Sequence, residues 1–311
     1  MSNFQKTMNR KDYEVAFGEE ISQFLSEVIQ KCPVEYSEVE SAEKEKIIIN
    51  ILDHMKNDFI SRAGPKRIKD WDTGWGENLN LVSEYSDINS LIPKYFGKYN
   101  VIRFCSRFIK VVNKEAEYNT VKILQTWLFE KFLKEVDCVY EFGCGTGHNL
   151  FRVRDINKKA EIYGLDWSIS TGEIFKKINN CFGEDFRYKQ FDFFNIDRSF
   201  ELKENSGVYT FAALEQSGEK FKNFIDYLVL NKPKICFHVE PISELLDPEN
   251  NLNDYLSIEY FKKRNYLEGF YKYLKKLENE GTIEIVLEKR STIGSLYING
   301  YSIVAWRPNH A

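Results

Sequence analysis

Metal and redox chemistry have little to work with in this 311-residue sequence, which holds only four histidines and six cysteines. Cys32, Cys105, Cys138, Cys144, Cys181 and Cys236 show no C-x-x-C spacing and no histidine cluster beside them. Reduced thiols are therefore expected, and no metal site. Charge of one sign is also lacking: 43 Lys and Arg against 47 Asp and Glu leave a formal net charge of -4, with the signs interspersed. That gives no long-range attraction for a polyanion, so no nucleic-acid partner is expected. Short basic runs such as Lys66-Arg67 and Lys262-Lys263-Arg264 read as solvated helix faces. No segment approaches the roughly 18 unbroken apolar residues of a membrane span. The stretch after Met1 lacks the apolar core of a signal peptide, and a cytoplasmic location with no membrane partner is the expectation. Neither an internal repeat nor a low-complexity linker interrupts the chain.

What remains is an ordinary apolar fraction, 43%, enough for a sizeable core. The richness in Lys, Asn, Ile and Phe would suit an AT-rich bacterial genome and says nothing of substrate. From Val136 onward, strand and helix patterns alternate, which implies a parallel, doubly wound sheet. Candidate strands run over Cys138 to Phe142, Glu161 to Asp166, Arg187 to Phe193, Gly207 to Ala212 and Lys234 to Val239. A helix fits Phe221 to Leu230, and a long one Ile258 to Glu280. Two closing strands, Thr282 to Lys289 and Ser295 to Trp306, are too close in sequence for a crossover helix and should pair antiparallel.

The most informative stretch is Val139-Tyr-Glu-Phe-Gly-Cys-Gly-Thr-Gly147, followed by Ile162-Tyr-Gly-Leu-Asp-Trp-Ser168. An apolar strand enters a glycine turn, and the next strand delivers an acid, Asp166, at its carboxyl end. Glycines let backbone pass close under a ligand, and the acid can accept hydrogen bonds from a ribose diol. A dinucleotide site wants G-x-G-x-x-G so that a pyrophosphate sits on a helix N-terminus. Here the third glycine comes one residue early. Glu141, just before the loop, would repel a pyrophosphate but suits a cationic amino-acid end.

Glu141-Phe-Gly-Cys-Gly-Thr-Gly147 resembles motif I of the class I S-adenosylmethionine-dependent methyltransferases, and Gly164-Leu-Asp-Trp-Ser168 resembles their second motif. Gln190-Phe-Asp-Phe-Phe-Asn195 and Phe211-Ala-Ala-Leu-Glu-Gln216 continue the likeness, which covers roughly residues 120 to 308. The resemblance implies a Rossmann-like α/β fold with a seven-stranded sheet ending in an antiparallel hairpin, and S-adenosylmethionine as cofactor. It implies cofactor contacts from Glu141, Gly143, Cys144, Gly145, Asp166, Trp167, Asp192, Phe193 and Leu214, with Asp192 near the adenine amino group. An Asn/Asp-Pro-Pro-aromatic run, the family's signature for methylating base or amide nitrogens, is absent after the fourth strand. Leu214-Glu-Gln216 stands there instead. That arrangement is more like enzymes of small metabolites, and a sugar or glycan precursor or a secondary metabolite is the preferred acceptor. Relatives with Leu-Glu-His use this place near a metal; Gln216 replaces that histidine, so none is expected.

Three acids and bases are catalytic candidates: Glu215 after the fourth strand, and His238 with Glu240 on one face of the fifth. A histidine beside an acid can remove a proton, though a hydrogen-bonded strand-end histidine would look the same in sequence. Residues 1–120 read as a helical N-terminal region and 121–311 as the cofactor-binding domain. Helices are expected over Tyr13 to Lys31, Ser41 to Arg62 and Glu115 to Leu133. Between them, Asp70 to Asn78 reads as an aromatic loop, whose Trp71 and Trp75 form either a substrate lid or a packing anchor. Gln216 and Tyr255 complete the candidate substrate contacts. Two other readings stay open: a non-catalytic partner protein with the methyltransferase fold, and, against the glycine spacing and the terminal hairpin, an NAD-dependent oxidoreductase.

Overall fold

A computed structural model describes residues 5–57, 59–290 and 292–309. The first part of the chain is not wholly helical, contrary to expectation. It contributes β1 (Lys6–Thr7), α1 (Arg10–Phe17), α2 (Gln23–Lys31), β2 (Glu35–Glu38), α3 (Ser41–Met55), α4 (Ile68–Tyr85), β3 (Val101–Phe104), β4 (Arg107–Val111) and α5 (Ala116–Phe132). The helix expected over Tyr13 to Lys31 is two, because Gly18 ends the first in a left-handed conformation (φ 68°) and the Ser22 side chain caps the second.

The larger correction concerns Asp70 to Asn78. It lies inside α4, not in a loop. Ile68, Trp71, Trp75, Leu79 and Val82 recur at three- and four-residue spacing, and this period outweighs the cost of about 1 kcal/mol for each of Gly74 and Gly76. Trp71 and Trp75, one turn apart, stack with ring centroids 5.3 Å apart.

The second part runs through β5 (Cys138–Phe142), α6 (His148–Ile156), β6 (Glu161–Asp166), α7 (Ile169–Phe182), β7 (Arg187–Gln190), β8 (Ser206–Phe211), α8 (Lys222–Asn231), β9 (Ile235–Glu240), α9 (Leu252–Arg264), α10 (Phe270–Asn279), β10 (Ile283–Lys289), β11 (Ile293–Gly294) and β12 (Ser302–Pro308). The single helix expected over Ile258 to Glu280 is divided where Asn265 turns left-handed (φ 57°) and Gly269 begins α10. A seven-stranded sheet has the order β10-β12-β9-β8-β5-β6-β7, parallel except for β12, which lies antiparallel to both neighbours. This is the Rossmann-like, seven-stranded sheet with a terminal antiparallel hairpin that the resemblance implies. Its order reverses between β5 and β8, so a crevice opens beyond the carboxyl ends of those strands.

The terminal strands pair as expected, but the segment between them does more than turn. β11 leaves the main sheet and joins a second, antiparallel sheet of order β1-β2-β4-β3-β11. One continuous apolar core links the two parts: Tyr13, Leu25 and Trp127 belong to the same buried cluster as Tyr209, Phe237 and Ile303. Among the described residues no helix is long and apolar enough to cross a membrane.

Candidate active site

The crevice is part of a cavity of about 630 Å³. One end is the turn between β5 and α6. Gly143, Gly145 and Gly147 all adopt positive φ (78°, 53° and 73°), as the sharp turn requires. A Cβ on Gly143 would stand 2.3 Å from the Ala213 side chain, and one on Gly145 2.8 Å from the Trp75 ring. The loop is therefore a floor that no larger residue can form.

Asp166 ends β6 beside this floor and is buried. Gly145 N–H donates to its Oδ2 at 2.9 Å and Ser168 N–H to its Oδ1 at 2.9 Å. Each oxygen thus receives one backbone donor and keeps capacity for another, since a carboxylate offers about four acceptor sites. Burial pushes its pKa up to about 6, against those two stabilising bonds. Trp167, Phe191, Phe193 and Cys144 line the same end. A ribose diol on Asp166 with a flat ring against Trp167 or Phe193 fits these residues.

Other candidates stand elsewhere. Glu141 lies behind the loop and does not line the cavity; Asn149 Nδ2 donates to its Oε1 at 2.6 Å. The buried Tyr209 hydroxyl lies beside the same carboxyl, whose pKa burial pushes up to about 8. Glu141 is thus set back from the cavity, while Asn149, bonded to it, lines the wall. Asp192 also stays off the cavity wall: its Oδ1 takes the Phe194 N–H at 2.8 Å in a local turn. Leu214 is fully buried in the core beneath.

The β9 pair departs furthest from expectation. His238 is fully buried and outside the cavity. Its Nδ1 is 3.0 Å from Thr210 Oγ1, and its ring packs near Phe224, Phe270 and Trp306. Burial holds it down at about 3, so it stays neutral. Glu240 shares its face, but the carboxylate receives the N–H groups of Ala213, Leu214 and Glu215 at 3.0–3.1 Å. It clamps the turn after β8 and touches no cavity space. Neither residue can meet an acceptor.

Glu215, which that clamp positions, does line the cavity. Gln216 Nε2 donates to its Oε1 at 3.0 Å, and Trp71 Nε1 donates to Gln216 Oε1 at 3.4 Å. Burial, with the Glu240 charge nearby, pushes Glu215 up to about 8. Trp71 and Trp75, carried by α4, and Gln216, from the turn after β8, all line the cavity. Tyr255 does not: it is 47% exposed on α9.

Four contributors were missed. Asp72 of α4 caps α7. Arg67 and Arg264, expected on solvated helix faces, instead turn buried guanidinium nitrogens to the outer end beside Tyr260, Tyr266 and Tyr297, because each arginine is covered by the aromatic rings it lies over. Arg103, fully buried, donates to the carbonyls of Asn253, Leu296 and Tyr297 and so fixes the 295–301 segment that forms one wall. Helical spacing in α4 was a readable signal for Asp72. Nothing local in sequence brings residue 103 to residue 297.

No family model matches the chain, and no curated protein matches it. Solved structures do resemble it. An O-methyltransferase family protein from Burkholderia thailandensis is 11% identical over 64% of this chain and 61% of its own, with a TM-score of 0.44. The small RNA methyltransferase HEN1 is 14% identical over 66% of this chain and 28% of its own, at 0.45. The Podospora anserina methyltransferase PaMTH1, bound to S-adenosylhomocysteine, is 13% identical over 88% of this chain and 97% of its own, at 0.44. The chain thus spans less than two thirds of the length of the first two.

Proposed function

We propose that this protein is an S-adenosylmethionine-dependent methyltransferase acting on an oxygen or nitrogen of a metabolite-sized acceptor. The observation that carries this reading is Asp166, held at the end of β6 by Gly145 and Ser168 N–H groups beside a glycine floor, at one end of a cavity that continues past it. Asp166 would hold the ribose diol, Trp167 and Phe193 the adenine, and Asn149 the amino-acid end.

When bound, the cofactor supplies a methyl group already activated by the sulfonium charge. The protein's task is then mainly positioning, since effective molarity contributes on the order of 7 to 11 kcal/mol. A general base adds about 3 to 5 kcal/mol, corresponding to its usual 10² to 10⁴-fold. Glu215 is the cavity carboxyl suited to that smaller role. Its raised pKa makes it a stronger base than an ordinary glutamate, and the Gln216 amide orients it. It is needed if the acceptor is a hydroxyl, and idle if the acceptor is a free amine. Trp71 and Trp75 exclude water from one side of the cavity.

Parallel calorimetric titrations with S-adenosylmethionine, S-adenosylhomocysteine and NAD test the cofactor. Micromolar binding of the first two, with none of NAD, is expected. Binding of NAD alone would overturn the reading.

A further inference from the structure

The cavity's outer end is not used by the cofactor assignment, and its composition is distinctive. Tyr260 of α9 and Tyr297 stack nearly parallel, with centroids 5.3 Å apart and planes 11° apart. His54 of α3 lies close to both rings, 4.5 Å from Tyr297 and 6.3 Å from Tyr260. Three elements distant in sequence thus build one aromatic wall of the cavity, and a flat ring is the ligand such a wall takes best.

Two guanidinium groups line the same space. Arg264 sits over the rings of Tyr260 and Tyr266, at 6.0 and 5.3 Å, and its buried Nε has no hydrogen-bond partner. Among the described residues it makes no ion pair. Arg67 sits over Trp71 at 5.4 Å with its buried Nη1 unpartnered, while Asp70 approaches its Nε at 2.8 Å. The acid whose charge acts on Arg264 is Glu215, and no ion pair joins the two among the described residues. Buried guanidinium edges without partners are costly, and a planar donor fork matches a carboxylate or phosphate.

We propose that the acceptor is a planar ring carrying an anionic group, either carboxylate or phosphate, with the ring on the Tyr260–Tyr297 faces and the anion held by Arg264, assisted by Arg67. The word acceptor rests on the methyltransferase reading; the ligand class does not.

The test compares four probes by calorimetry on the full chain, with and without S-adenosylhomocysteine. They are 4-hydroxybenzoate, uridine monophosphate, neutral 4-hydroxybenzyl alcohol and cationic tyramine. At least one anionic probe is expected to bind about tenfold or more tighter than the neutral and cationic ones, as a charge-assisted pair would give. Which anion leads distinguishes carboxylate from phosphate. Arg264→Met is expected to erase that preference while S-adenosylhomocysteine affinity stays within about threefold, because the arginine is outside the cofactor end. Should that variant fail to fold, the probe ranking on the wild type still decides. S-adenosylhomocysteine binding with equal affinities for all four probes, with tyramine leading, or with no ring anion bound would overturn the proposal and leave the methyltransferase reading standing. Anion preference without S-adenosylhomocysteine binding would do the reverse.

Discussion

Asp72 of α4 caps the helix that follows Ser168: its Oδ1 accepts from Ser168 Oγ at 2.6 Å and from Ser170 N–H at 2.9 Å. Ser168 in turn gives its own N–H to Asp166. One short chain of hydrogen bonds therefore joins the tryptophan-bearing helix to the proposed ribose acid. Whatever moves α4 moves the N-terminus of α7 with it.

That relationship makes Asp72→Ala informative. A lost helix cap costs about 0.5 to 2 kcal/mol, and thermal melts should show a loss of that order. The same bonds hold the Asp72 carboxyl below its usual range. A depressed folded pKa gives stability that is present above the unfolded value and lost as pH falls through the folded one. The variant should therefore lose its difference from wild type in acid. Cofactor affinity should also fall, because Ser168 no longer has a fixed position from which to hold Asp166. Equal cofactor affinity in the two proteins would mean that α4 and the cofactor end are independent.

Asp166→Ala should weaken S-adenosylmethionine binding by roughly 1 to 3 kcal/mol, the cost of unmade charged hydrogen bonds. Circular dichroism should remain that of the folded protein. Unchanged affinity would remove the ribose assignment and, with it, the strongest support for the proposed activity.

Gly145 and Trp75 offer a paired test. Gly145→Ala puts a methyl 2.8 Å from the indole at a φ of 53°, so both steric overlap and backbone strain oppose it. Severe loss of cofactor binding is expected. Trp75→Leu removes the overlap but not the strain, so the double variant should recover part of the loss. Strict additivity in the double-mutant cycle would show that the ring and the loop do not meet.

The residues that were legible in sequence are those whose role is local. The strand Cys138–Phe142, the glycine turn and Asp166 are contiguous or follow at a fixed short spacing, and the β5 and β6 boundaries were read to the residue. Asp70 to Asn78 was misread because its glycines were given more weight than the spacing of Ile68, Trp71, Trp75 and Val82. His238 was misread for another reason. Period-two alternation says that 238 and 240 share a face, but both faces of a central strand are covered, and only the strand's last residue or the loop beyond it reaches the crevice. The outer wall lay beyond any local pattern, since it needs β11 to pair with β3 and Arg103 to hold Tyr297.

Buried glutamates should leave a signature in stability against pH. Burial pushes Glu141 and Glu215 to about 8 and Glu240 to about 7. Between about pH 6.5 and 8.5 the unfolded chain has already lost these protons while the folded protein still holds some of them. The folded state binds more protons, so stability should fall as pH rises through this window. His148 and His238, held down at about 3, oppose this only below the ordinary histidine pKa, where the unfolded chain would bind their protons. Glu141→Gln should flatten the slope measured by denaturant titration at several pH values. A slope unchanged in the variant would mean that Glu141 is ionised in the folded protein.

The remaining prediction separates the two sequence candidates for a base. His238 touches only core, so His238→Leu should leave turnover and cofactor affinity near wild type once an acceptor is in hand. Its stability should fall by no more than about 1 to 3 kcal/mol, because the substitution breaks the Thr210 hydrogen bond but also removes a buried Nε2 that has no partner. Glu215→Gln keeps the shape of a cavity residue and removes its basicity. With a hydroxyl acceptor, kcat should fall by about 10² to 10⁴-fold while cofactor affinity holds. With an amine acceptor that arrives unprotonated, kcat should barely change. A collapse of turnover in His238→Leu with a normal melting curve would be the contrary result, since it would require β9 to present the imidazole to the cavity and the turn clamped by Glu240 to open during the reaction.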